Sequence, residues 1–131
     1  MPTLTQEQLL KIFNAVKKEM KPYEKGYVKA RFDIQGRYEL WTEKPKITIQ
    51  GRLRNELAFI GLILQSSYVG FYYTPIYTNS EDVSSRLSTD LLKLLKGKAC
   101  FHIKAVDKNI LTDIKQAMKV GYEEYSNNGW L

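Results

Sequence analysis

Residues 57–77 read LAFIGLILQSSYVGFYYTPIY. Two apolar segments, 57–64 and 68–73, flank the polar group Gln65-Ser66-Ser67. Each is short, rich in β-branched or aromatic residues and bounded by turn formers, which predicts a hairpin of two central strands rather than a helix. Neither approaches the roughly 20 apolar residues that a membrane-spanning helix needs. On the second strand Val69, Phe71 and Tyr73 share one face, while Tyr68, Gly70 and Tyr72 share the other.

Upstream of this hairpin, residues 27–34 alternate. Val28, Ala30, Phe32 and Ile34 point toward a core, and Tyr27, Lys29, Arg31 and Asp33 point away from it. Residues 38–43 follow with Tyr38 and Leu40 inward and Glu39, Trp41 and Glu43 outward. The turn between them sets the register. A two-residue Gln35-Gly36 loop pairs Phe32 with Glu39 and mixes charge into the core. A three-residue loop, Gln35-Gly36-Arg37 with Gly36 in the left-handed region, pairs Ile34 with Tyr38 and Phe32 with Leu40. The three-residue loop is therefore expected, and it sets Asp33 opposite Glu39, Arg31 opposite Trp41 and Lys29 opposite Glu43 on the outer face. Residues 46–51 read as a third strand, Ile47 and Ile49 inward, Thr48 and Gln50 outward. A basic turn, 51–55, then leads into the central hairpin.

Helices flank these strands. Thr5 followed by Gln8 predicts a capping box, and Leu9, Ile12, Phe13, Val16 and Met20 recur at helical spacing until Pro22 and Gly26 end the helix. Downstream, Pro75 and the polar stretch 78–82 break the sheet. A short helix is expected over 83–95, with Leu87, Leu91, Leu94 and Leu95 buried and Gly97 at its C-terminal cap. Residues 98–104 form a last strand, with Ala99, Phe101 and Ile103 alternating against Cys100 and His102. Asp107 begins a final helix carrying Ile110, Ile114, Met118 and Tyr122. The order is helix, five strands, helix, strand, helix. It predicts a single α+β domain over 1–131, an antiparallel sheet of about five to six strands with helices on one face.

The 131 residues, 44% hydrophobic and 26% charged, are ordinary for one globular unit. The net charge of +6, from 20 Lys and Arg against 14 Asp and Glu, suits an anionic partner such as nucleic acid, or simply a basic surface. One cysteine, Cys100, cannot form an internal disulfide, and the N-terminal MPTLTQEQLL does not read as a signal peptide. A cytoplasmic protein without a membrane partner is expected.

Three groups carry chemistry. Asp33 and Glu39, if opposed, repel unless a cation sits near, and their oxygens suit a hard metal ion or iron held weakly at a surface; Arg31 and Arg37 are the alternative neutralisers. Cys100 and His102 share a strand face at roughly 6.5–7 Å between Cα atoms, yet a metal site needs further ligands, and a packed Cys beside a hydrogen-bonded His is the plainer reading. Arg31, Trp41, Tyr68, Tyr72 and His102 together offer an aromatic and cationic outer face for a small ligand, a protein partner or single-stranded nucleic acid; Arg31 against Trp41 also reads as a simple cation–π pair. One histidine and scattered carboxylates supply no recognisable catalytic constellation. A non-enzymatic binding domain that needs no cofactor is expected, its ligand site on the helix-free sheet face.

The stretches Tyr68-Val69-Gly70-Phe71-Tyr72-Tyr73-Thr74-Pro75 and Leu94-Leu95-Lys96-Gly97-Lys98-Ala99-Cys100-Phe101-His102-Ile103-Lys104, with the ending from Gly121-Tyr122 to Gly129-Trp130, resemble the YdhG-like domains of unknown function, small bacterial proteins. The likeness covers roughly the last half of the chain. It implies a frataxin-like fold, with helices packed on an antiparallel sheet. It also implies an alternative function, an iron-binding chaperone for iron–sulfur cluster assembly, which would use Asp33, Glu39 and neighbouring carboxylates.

Overall fold

The computed structural model describes residues 4–49, 51–77 and 80–131; the expectations that fall on Gln50, Thr78 and Asn79 lie outside them. Helix α1 (Gln6–Met20) begins at the expected capping box, Thr5 accepting from the Gln8 backbone and the Gln8 side chain accepting from the Thr5 backbone. Strands β1 (Val28–Ile34) and β2 (Arg37–Thr42) follow, then the short pair β3 (Ile47–Ile49) and β4 (Arg52–Arg54). The central hairpin is β5 (Leu57–Leu64) and β6 (Val69–Tyr73). Two short helices, α2 (Ser80–Ser85) and α3 (Thr89–Leu92), precede β7 (Leu95–Lys96), β8 (Cys100–Ile103) and the long α4 (Lys108–Asn127). The chain is an α+β domain in which six antiparallel strands run in the order β1-β2-β5-β6-β8-β7, and β3-β4 form a separate ribbon.

One sheet face is buried under α1 and α4. Val69, Phe71 and Tyr73 of β6 are sealed there with Leu40, Leu62, Phe101 and Ile103, against Phe13 and Val16 of α1 and Ile114 and Met118 of α4. The Tyr73 hydroxyl donates to the Ala117 carbonyl of α4, and the Tyr125 hydroxyl donates to the Ala58 carbonyl of β5 at 2.6 Å. These bonds remove the polar cost of burying two phenols and fix α4 to the central strands. Burial raises the pKa of both phenols.

Three expectations are corrected. The first concerns the register of β1 and β2. Ala30 pairs with Leu40 and Arg31 with Glu39, after which Ile34 pairs with Arg37 across a two-residue loop. Phe32 and Asp33 together oppose one partner residue, a β-bulge. Phe32 takes φ 55°, a left-handed conformation costly for a bulky side chain. The consequence is an exchange of faces. Phe32 is 51% exposed with the Arg37 guanidinium 3.8 Å above its ring, and Asp33 turns to α1, where Lys17 and Lys21 hold it at 2.5 and 3.1 Å. A strand must restore the alternation of faces somewhere, and here the bulge does so instead of a longer loop.

Second, residues 47–49 do not join the main sheet. They pair with Arg52, Leu53 and Arg54, which read as a turn in the sequence, and the ribbon projects from the end of β2 and β5. Third, the helix expected over 83–95 is divided. Ser88 caps α3 through a bond from the Leu91 backbone, and Leu95 leaves the helical pattern to pair with Phe101. Gly97, at φ 77°, makes the tight β7–β8 turn rather than a helix cap.

The Asp33 cluster supplies a pH test. Lys17 foremost, then Lys21, holds the Asp33 carboxyl below its usual range. A carboxyl whose folded pKa is depressed stabilises the fold above its unfolded value, about 3.9, and loses that contribution as pH falls through the folded value. Asp33 is 39% exposed, so solvent screening limits the effect to less than about 1 kcal/mol. A carboxyl NMR titration is expected to place Asp33 below about 3.9, and Lys17→Gln to move it upward; an unchanged midpoint in that variant would disprove the contact.

Candidate ligand site on the helix-free sheet face

Among the described residues no helix packs on the second sheet face. Its centre is built by small residues. Glu39 pairs with Gly61, and Gly61 with Tyr72, so across three strands a glycine lies between two large side chains. A second bulge, at Phe59, steps the register from Leu40–Ile60 to Trp41–Ala58. It sends Phe59 into the core against Tyr125, ring centroids 4.8 Å apart, and leaves Ala58 on the outer face beside Trp41. The result is a cleft of about 220 Å³ with Trp41, Glu39, Ala58, Gly61, Ile63 and Tyr72 in its wall.

Glu39 dominates its chemistry. The side chain is only 14% exposed. Trp41 Nε1 donates to Oε1 at 3.0 Å and Arg37 Nε to Oε2 at 2.6 Å. Arg37 Nη2 also lies 2.6 Å from Oε2, so of the carboxylate's about four acceptor positions it is Oε1, with one donor, that keeps capacity beside the cleft that Glu39 lines. Tyr72 is held by a bond from Gln65 Nε2 at 3.3 Å, and its ring lies over Gly70: a Cβ there would meet Tyr72 Cε2 at 2.8 Å. Burial raises the Tyr72 phenol and the neighbouring Cys100 thiol. The cleft therefore presents two aromatic groups, a small floor and one fixed carboxylate.

The structure separates the residues singled out from sequence. Trp41 and Tyr72 line the cleft. Arg31 stands beside it, its guanidinium 4.3 Å from the Trp41 ring centroid, bonded to Glu43 at 3.1 Å and to Glu56. Tyr68 and His102 stack on each other, centroids 3.7 Å apart and planes 9° apart, and are not in the cleft wall. Asp33 and Glu39 lie on opposite faces, each with its own cation, so the two-carboxylate metal site is not formed. Among the described residues no three His, Cys, Asp or Glu side chains converge as a metal site would require. Ala58, Gly61 and Ile63 were not foreseen; a glycine inside an otherwise bulky strand was the available signal of a close approach there.

This is an open-faced α+β domain with a small aromatic cleft on its uncovered sheet. No protein-family model matches the chain, and no curated protein or solved structure shows significant similarity to it. Among the described residues no helix is long and apolar enough to cross a membrane.

Proposed function

We propose that the chain is a non-enzymatic binding domain that holds a small, flat molecule carrying hydrogen-bond donors, seated on Gly61 between Trp41 and Tyr72. The observation that carries this reading is Glu39: a carboxylate almost covered by protein, fixed by two donors, with acceptor capacity left toward an aromatic cleft. The cleft is smaller than the roughly 300–1,000 Å³ usual for drug-sized ligands, which favours a single ring or fused pair with an amide, amidine or amine edge. A reducing, cytoplasmic setting suits the free Cys100. A YdhG-like domain would carry its helices on one sheet face, and in this chain Val69–Tyr73 of the resembling stretch is strand β6.

The test is a fragment screen read on the two tryptophan indole N–H resonances. Donor-bearing aromatic fragments are expected to shift Trp41 saturably and to leave Trp130 unmoved. Glu39→Gln is expected to weaken that binding at least tenfold by replacing an acceptor-only carboxylate with an amide. Uniform or absent shifts would overturn the reading.

A further inference from the structure

The charge surplus is not evenly spread. Segments 44–54 and 93–104 carry four cations each and no acid, and the rest of the chain is slightly acidic. Strand register brings the 44–54 segment and the turn at 96–98 to one end of the sheet: Thr42 pairs with Leu57, Ile60 with Tyr73, Tyr72 with Cys100, and Cys100 with Lys96. Lys93 and Lys104 lie toward the opposite end, where Ile103 pairs with Val69. The β3–β4 ribbon and the β7–β8 turn therefore leave the sheet on the same side. Between them stands Tyr77, 60% exposed. It lines one cleft with Thr48 and Ile49 of the ribbon and another with Gly97 and Lys98 of the turn.

The cations here are available. Lys46, Arg52, Arg54, Lys96 and Lys98 are exposed, and none is in an ion pair among the described residues. Glu43 and Glu56 are engaged by Arg31, and Asp90 by Lys93 ahead of β7, so that none of these acids pairs with the five exposed cations. Arg52 and Arg54 sit two apart on one strand, which sends both guanidinium groups to the same side of the ribbon.

We propose that this end of the sheet binds single-stranded nucleic acid, the ribbon and the turn holding phosphates on either side of a base stacked on Tyr77. Guanidinium groups match phosphate oxygens in pairs, and an exposed aromatic ring between cations offers a stacking platform that any unpaired base can use. A duplex hides its base faces from such a ring. A lipid surface is the poorer fit, since the exposed apolar groups here, Leu53 and Tyr77, stand on separate elements instead of forming one continuous face.

Fluorescence anisotropy with labelled oligo-U, oligo-dT and a duplex of equal length, over a range of salt, tests this. Single strands are expected to bind more tightly than the duplex, and the two sugars show whether RNA or DNA is preferred. The Arg52→Ala/Arg54→Ala double variant is expected to reduce the slope of log K against log salt by about 1.4, from about 0.7 per phosphate contact. Tyr77→Ala is expected to weaken binding roughly 5–150-fold, the worth of one stacked base. Lys11→Ala/Lys18→Ala, on the exposed face of α1, is the control expected to change neither. Absence of salt-dependent binding, an equal loss in the α1 control, or binding to phosphatidylserine vesicles with none to oligonucleotides would overturn the proposal.

Discussion

Phe59→Ala is expected to lower the unfolding free energy by about 3–5 kcal/mol, the usual cost of deleting a fully buried phenylalanine. Phe59 is completely covered, its ring against Tyr125 at 4.8 Å and Tyr122 at 6.5 Å. Both tyrosines belong to α4, and the Tyr125 hydroxyl bonds the adjoining Ala58 carbonyl. That anchorage limits how far the helix can settle into the void, so the cavity term stays large. Small domains are stable by only about 5–15 kcal/mol, so this one change removes a large share. Urea denaturation with an unchanged slope is the measurement. A loss below about 1 kcal/mol would mean that the β5 bulge does not carry Phe59 into the core.

The second large effect comes from adding atoms rather than removing them. Gly121→Ala is expected to destabilise although alanine suits a helix better. A Cβ at Gly121 would meet Pro75 Cγ at 2.9 Å and Tyr73 Oη at 3.0 Å. Neither neighbour yields readily: Pro75 is a buried ring, and Tyr73 is fully buried with its hydroxyl bonded to Ala117. Overpacking costs about 1–3 kcal/mol, against about 1 kcal/mol gained in helix propensity, for a net loss of up to about 2 kcal/mol. The same denaturation series would show the contrary result, a gain, if α4 crossed the sheet further away.

The layers were legible because local patterns agreed with the long-range fold. The capping box at Thr5, the helical spacing from Leu9 to Met20 and the alternation of Val69, Phe71 and Tyr73 all appear as read. The β1–β2 register was not legible, for a definite reason. An odd loop and a strand bulge both restore the pleat, and what distinguishes them is the contact of Asp33 with Lys17 and Lys21, residues distant in sequence on and just after α1. The helix expected over 83–95 failed likewise: its leucine spacing is helical, but pairing of Leu95 with Phe101 wins the end of the segment for the sheet. At the site, Trp41 and Tyr72 were visible as outward aromatics. The cleft between them was not, because it depends on the Phe59 bulge and on a glycine, features defined by side chains that are missing or turned away.

Gly61 tests the cleft most directly. Its added Cβ would lie 3.5 Å from Glu39 Cγ and 3.7 Å from Tyr72 Cβ, ordinary contact distances. Gly61→Ala should therefore fold and gain about 0.5–1 kcal/mol from the stiffer strand, while its methyl group fills the floor between Trp41 and Tyr72. Titrating a fragment that shifts the Trp41 indole into both proteins decides the matter. Loss of that shift in a variant at least as stable as the parent is the expected result, and undiminished binding by Gly61→Ala would contradict the cleft as the ligand site.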